Sequence, residues 1–170
     1  LFSVLVVALL LTGPIPVGAA LRINELMASN SETIQDPQGH YDDWIELYNA
    51  GDAAIDAGGL YLTDDPETPT KWQIPKDDPA LTTVPAQGYL LVWADNAPTA
   101  GGLHTNFKLD AGGEQLALFD WDGSTLLDQI AFDEQSVDIS YGRDPNGADQ
   151  WRYFGASTPG SANVAAYEGL

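Results

Sequence analysis

Pro85-Ala86-Gln87-Gly88-Tyr89-Leu90-Leu91-Val92-Trp93 reads as a tight turn feeding a strand. The turn closes on a glycine, and the five residues after it are aromatic or aliphatic on both faces of an extended chain. That is the pattern of a central strand covered from two sides. On the N-terminal side, Trp44-Ile45-Glu46-Leu47-Tyr48 alternates, with Ile45 and Leu47 sharing a face. Further back, Ile23, Glu25 and Met27 share one face, and Asn24 and Leu26 the other. Spacings of two recur at Leu60/Leu62, Trp72/Ile74, Phe107/Leu109 and Leu116/Leu118, and Leu126–Phe132, Ile139–Tyr141 and Trp151–Phe154 are further strand-like runs. Turn signals separate them about every 8 to 15 residues, and no stretch carries helical periodicity, so the chain reads as about nine short strands. An all-β sandwich or barrel follows. Asp120-Trp121-Asp122-Gly123 and Asp110-Ala111-Gly112-Gly113 read as hairpin turns, and Ser157–Asn163 as the last turn leaving the domain.

The 170 residues carry 25 acidic and 6 basic side chains, a net charge of −19, and no cysteine. Phosphate neutralisation needs surplus Lys and Arg, so the balance argues against nucleic-acid binding. The missing Cys excludes a disulfide scaffold, a thiolate zinc site and a cysteine nucleophile. The acids are 18 Asp against 7 Glu, accompanied by 17 Gly and 11 Pro, which suits turns better than helices. Every charged residue lies at position 22 or later. Leu1–Leu11 is apolar except for Ser3, Gly13, Pro14 and Pro16 break the run, and Val17-Gly18-Ala19 offers a small-residue cleavage pattern. These are the features of a signal peptide cleaved after Ala19 or Ala20, too short in its apolar part for a span of roughly 20 residues. Opening on Leu1 without a basic stretch, it reads as lacking its first residues. The expected organisation is a signal peptide at 1–20, one β-sandwich domain at 21–163 and a tail or linker start at 164–170. Export without cysteine points to a bacterial secreted or cell-surface protein, extracellular or periplasmic.

The ordered words of the chain carry a family resemblance. Ile23–Asn30 is followed by Asp43-Trp44-Ile45-Glu46-Leu47-Tyr48-Asn49, Gly59-Leu60-Tyr61-Leu62-Thr63-Asp64-Asp65, Lys71-Trp72-Gln73-Ile74-Pro75 and Gly88–Ala94. His104–Leu109, Gly113–Leu118, Ser140-Tyr141-Gly142-Arg143 and Ser157-Thr158-Pro159-Gly160 complete the series. This resembles the lamin tail domain family, in the form carried by bacterial secreted and surface proteins, over about Leu21 to Asn163. The resemblance implies an immunoglobulin-like β-sandwich of about nine short strands without a disulfide. It also implies an accessory module, not itself an enzyme, often joined to nucleases, phosphoesterases or spore-coat-kinase-like domains. Animal nuclear members bind DNA through basic surface, which this acidic sequence lacks.

The function expected is therefore a non-enzymatic secreted or surface module that binds a protein, glycan or envelope component, or positions a neighbouring domain. The alternative is the N-terminal accessory domain of a larger secreted enzyme. Asp42, Asp43 and Glu46, with Asp64, Asp65 and Glu67, are the densest acidic groups and are candidate weak Ca²⁺ ligands, although the simpler reading is that they cap turns or keep the acidic surface soluble. Asp120-x-Asp122-Gly123 is explained by its turn. No other cofactor is expected. His40 and His104 lack the nucleophile elbow of a triad and are too few for a His₃ zinc site, so neither is assigned a catalytic role. Trp44, Trp72 and Trp93 suit packing, whereas Trp121 and Trp151 are candidate ligand contacts.

Overall fold

The computed structural model of the protein describes residues 20–163. The expected signal peptide, but for its last residue, and the tail at 164–170 lie outside the described residues. The elements are β1 (Leu21–Met27), β2 (Trp44–Asn49), β3 (Ile55–Asp56), β4 (Tyr61–Thr63), β5 (Trp72–Gln73), a one-turn helix α1 (Pro79–Thr82), β6 (Thr83–Val84), β7 (Tyr89–Trp93), β8 (Glu114–Phe119), β9 (Leu126–Phe132), β10 (Ser140–Arg143) and β11 (Trp151–Phe154). They form a five-stranded sheet ordered β11-β10-β1-β2-β7, a four-stranded sheet ordered β5-β4-β8-β9 and a two-stranded pair β3-β6. All named strand pairs are antiparallel. Among the described residues no helix is long and apolar enough to cross a membrane.

The two larger sheets face each other across one core. Leu21, Ile23, Leu26, Ile45, Leu47 and Val92 enter it from one sheet, and Leu62, Trp72, Leu116, Leu118 and Phe132 from the other. Each such side chain removed from water contributes about 1.5–3 kcal/mol before the entropy of ordering is counted. Ile23 and Leu26 both face this core, three residues apart, because the pairing with β2 shifts between Ile23 and Glu25. Asn24 is the extra residue of a β-bulge. A strictly alternating reading therefore puts Ile23 with Glu25, whereas the bulge turns Glu25 and Met27 to the opposite face.

β7 corrects a second expectation. It is the last strand in its sheet, not a central one. Its apolar character on both faces has another cause. Trp93 joins Met27 and Trp44 in a small second cluster on the outer face, against which Ile34 and Leu91 pack. The free edge at Trp93 is covered too: the Trp93 N–H donates to the Leu103 carbonyl at 2.8 Å, and its carbonyl accepts from the Thr105 N–H at 2.8 Å. Phe107 and Leu109 are buried beside this segment without forming a regular strand, so the Asp110–Gly113 turn leads into β8 instead of closing a hairpin. The Asp120–Gly123 turn does close one, between β8 and β9.

Candidate functional site

The carboxylates of the sequence expectation go to different tasks. Asp65 caps its own turn, accepting from the Glu67 N–H at 3.1 Å and the Thr68 hydroxyl at 2.9 Å. Asp64 meets Lys71 Nζ at 2.5 Å. Asp43 accepts the Asn30 N–H at 3.2 Å. Burial raises the Asp43 carboxyl, against that donated N–H, to a pKa of about 6. Glu46 is buried on the outer face of β2, opposite Glu25 of β1. Among the described residues, the only one of the six in a grouping with metal-ligand spacing is Asp42, and it stands there with Asp36 and His40.

The Glu25–Glu46 pair fastens the C-terminal segment. Glu25 accepts from the Ser140 hydroxyl at 2.5 Å, the Thr158 N–H at 3.1 Å and the Thr158 hydroxyl at 2.9 Å. Glu46 accepts from the Gly160 N–H at 2.5 Å and from the Asn24 amide at 3.1 Å. The bulge that frees Asn24 from strand pairing thus supplies part of the network. Asn163 completes it, donating to the Arg143 carbonyl at 2.8 Å. Ser157–Asn163 consequently lies fastened across the sheet; it does not leave the domain, as its turn-rich sequence suggests. Gly142 makes the approach feasible. A Cβ there would fall 2.7 Å from Asn163 Nδ2 and 3.0 Å from Glu25 Cγ. Gly142→Ala is expected to cost about 1–3 kcal/mol by overpacking. Its melting temperature should fall, and limited proteolysis should cut near Ser157–Asn163 sooner than in the parent chain.

A second polar cluster gathers two loops. In the first, Asp36 Oδ1 accepts from the Gln38 N–H at 2.9 Å and the His40 N–H at 2.7 Å, and Oδ2 lies 3.5 Å from His40 Nδ1. Burial works to raise the Asp36 carboxyl, but these N–H donors overcome it and hold its pKa below the usual value. In the second loop, His104 Nδ1 lies 2.7 Å from Asp95 Oδ2. Gln38 ties the loops together by donating to the Gly101 carbonyl at 3.0 Å. Ligand atoms of Asp36, Asp95 and His104 lie within 4.8 Å of one another, as do those of Asp36, His40 and Asp42. The sequence gives little notice of this cluster, since Asp36 and His104 are 68 positions apart. The usable signal was the histidine in His104-Thr105-Asn106-Phe107, beside a buried strand end.

The two tryptophans singled out as contacts differ. Trp121 is 74% exposed at the tip of the β8–β9 hairpin. The turn beneath it is held by Asp122, whose carboxylate accepts from the Ser124 and Thr125 N–H groups, each at 2.8 Å. Trp151 instead stacks on Tyr141, with centroids 5.1 Å apart, and lies 4.8 Å beneath the Arg143 guanidinium. Its ring is occupied by packing.

Antiparallel sheets closed on a shared core, in a chain with no cysteine, define an immunoglobulin-like β-sandwich without a disulfide. Residues 16–134 match the family model described as Lamin Tail Domain, and the chain belongs to that family. The match stops before β10 and β11, which complete the five-stranded sheet. No curated protein and no solved structure matches the chain.

Proposed function

We infer that this domain is a non-enzymatic, secreted or cell-surface module that binds a protein, glycan or envelope component through the tip of the β8–β9 hairpin. The observation that carries the reading is Trp121, a large amphipathic ring 74% exposed on a turn rigidified by its own aspartates. Such a ring stacks on sugars and anchors protein contacts at low entropic cost. Leu126, at the start of β9, adds exposed apolar surface. The use of the buried Glu25–Glu46 pair as a structural clamp supports a binding role over acid–base chemistry. Charge argues against a nucleic-acid partner. Of the six basic side chains, Arg22, Lys71, Arg143 and Arg152 are each paired with an aspartate. The apolar, uncharged start of the sequence supports export.

Trp121→Ala tests this directly. Being exposed, the substitution should leave stability within about 0.5 kcal/mol. Co-sedimentation with an insoluble envelope fraction, before and after protease treatment of that fraction, should fall at least tenfold. Equal sedimentation of variant and parent would overturn the role of the hairpin, and a parent that does not sediment would overturn envelope binding itself.

A further inference from the structure

We propose that the free edge of β9 is a docking site for an extended, basic segment of a partner protein, which adds a strand there beneath the overhang of β10 and β11. The proposal goes beyond the hairpin-tip reading and does not rest on Trp121. It starts from a mismatch between the two sheets. One runs on from β1 through β10 to β11, whereas the other stops at β9. Asp128 of β9 meets Arg143 of β10, so the last strand of the smaller sheet sits opposite β10. No further strand of that sheet lies beyond it, and β11 overhangs.

The underside of the overhang is aromatic. Tyr141 and Tyr153 stand opposite each other across the β10–β11 ladder, as do Arg143 and Trp151, so all four share the face that meets Asp128. The rings are stacked, with Tyr141 5.1 Å from Trp151 and 4.8 Å from Tyr153 between centroids. Tyr141 and Trp151 pack on the margin of the core, yet all three rings stay half-buried. Burial raises the Tyr141 phenol, and nearby Tyr153 and Asp133 add to the rise, which places the end of β9 beside this shelf. A strand added to β9 would lie about 4.7–4.9 Å from it, in a sheet about 10 Å from its partner sheet. Its inward side chains would meet the three rings.

The edge itself is open. β9 pairs with β8 alone, and among the described residues no other backbone hydrogen bond reaches it. Edge strands are commonly guarded by lysine, proline or a bulge. Leu126–Phe132 contains no lysine and no proline, and its one charge, Asp128, is engaged by Arg143. The bulge falls at the hairpin end, which leaves Asp128–Phe132 in regular register.

Charge selects the occupant. Asp122 is exposed at one end of β9, and Asp133 and Glu134 at the other. Asp149, 94% exposed, stands beside Arg143. The basic groups nearby, Arg22 and Arg143, are already engaged by Asp128 and Asp149. A second copy of this chain would bring the same acids against these, which disfavours pairing of β9 with itself. A peptide with apolar β-branched residues facing the rings and Lys or Arg facing solvent matches both the shelf and its surroundings, and its backbone supplies the strand pairing.

The probe is the capped heptapeptide KVKIKVK, titrated calorimetrically into the full chain. One peptide should bind per chain, and amides of β9 should exchange with deuterium more slowly in its presence. The acidic peptide EVEIEVE, and KKVIVKK with the same composition but no alternation, should each bind at least tenfold more weakly. Tyr153→Ala should weaken KVKIKVK at least tenfold while keeping a cooperative melt. Trp121→Ala keeps the two surfaces distinct: it should lose envelope sedimentation and still bind the peptide. No binding at millimolar peptide would overturn the site, as would KKVIVKK binding equally well, which marks charge attraction alone. So would β9 amides already protected in the free chain, a dimer formed through β9, or peptide binding lost in Trp121→Ala.

Discussion

Asp128→Ala is expected to remove about 3–5 kcal/mol of stability, the usual consequence of stripping one partner from a buried ion pair. Asp128 on β9 and Arg143 on β10 meet with both carboxylate oxygens against Nη2, at 3.0 and 2.9 Å. The pair does more than join the two sheets. β10 pairs with β1 only at Glu25 and Leu26, so the ladder has ended by Ile23. There Asp128 Oδ2 accepts the Ile23 N–H at 2.9 Å, and Arg143 Nε donates to the Ile23 carbonyl at 2.7 Å. The ion pair thus takes the place of the missing strand and satisfies backbone groups that must be paired when buried. Arg143 also donates to the Ala148 carbonyl. Asp128→Asn, which keeps an acceptor for Ile23, should cost clearly less than Asp128→Ala. An apolar double replacement of Asp128 and Arg143 should remain destabilising, because Ile23 keeps two unpaired groups at about 1–3 kcal/mol each. Chemical denaturation of the three variants decides the matter. A double replacement as stable as the parent would show that Ile23 does not depend on the pair.

The second large effect is on pH dependence. Stability should rise as pH falls from about 8 toward about 5. Burial pushes the Glu46 carboxyl up to about 8, against the hydrogen bonds from Gly160 and Asn24 and with the Glu25 charge adding to the rise. Burial raises Glu25 as well, opposed by Ser140 and Thr158. Tyr89, from β7, faces the same carboxylate. In the unfolded chain Glu46 titrates near 4.5. Between those values the folded state holds a proton that the unfolded state has released. The stabilisation is therefore complete below the unfolded value and is lost as pH rises through about 8. Each pKa unit corresponds to about 1.4 kcal/mol, so the effect is on the order of a few kcal/mol. Carboxyls held low, such as Asp122 at about 2, act in the opposite sense only at much more acid pH. Glu46→Gln should flatten the profile between pH 5 and 8 and melt above the parent at pH 8. A parent chain that melts higher at pH 8 than at pH 5 would contradict this account.

Much of the fold was legible because the long strands announce themselves. Trp44–Asn49 alternates as a sheet strand should, and the Asp120–Gly123 turn sits where its residues say. The failures have specific physical causes. The bulge at Asn24 resets the alternation of β1 in a way that no period of two can show. β7 looks central because loops cover its second face, and burial leaves the same mark on a sequence whether strands or loops provide it. β3, β6 and α1 are too short, at two to four residues, to have a period at all. The cluster around His104 was invisible for a different reason: its members come from separate loops brought together only by the closed sandwich. Acidic density in the sequence, by contrast, pointed to residues that mostly cap turns or clamp the chain.

The distant pairing of β1 has a kinetic consequence. Its neighbours are β2, close behind it in the chain, and β10, whose residues Tyr141 and Gly142 follow more than a hundred positions later. Until β10 arrives, one edge of β1 stays open, and the Asp128–Arg143 pair that would seal its remainder cannot form. Topologies dominated by such distant pairings fold on the millisecond-to-second scale, slower than chains built from local contacts. During that interval β1 presents a bare hydrogen-bonding edge to any neighbouring chain, so the order of arrival, as much as the final stability, governs how much of this protein reaches its native state.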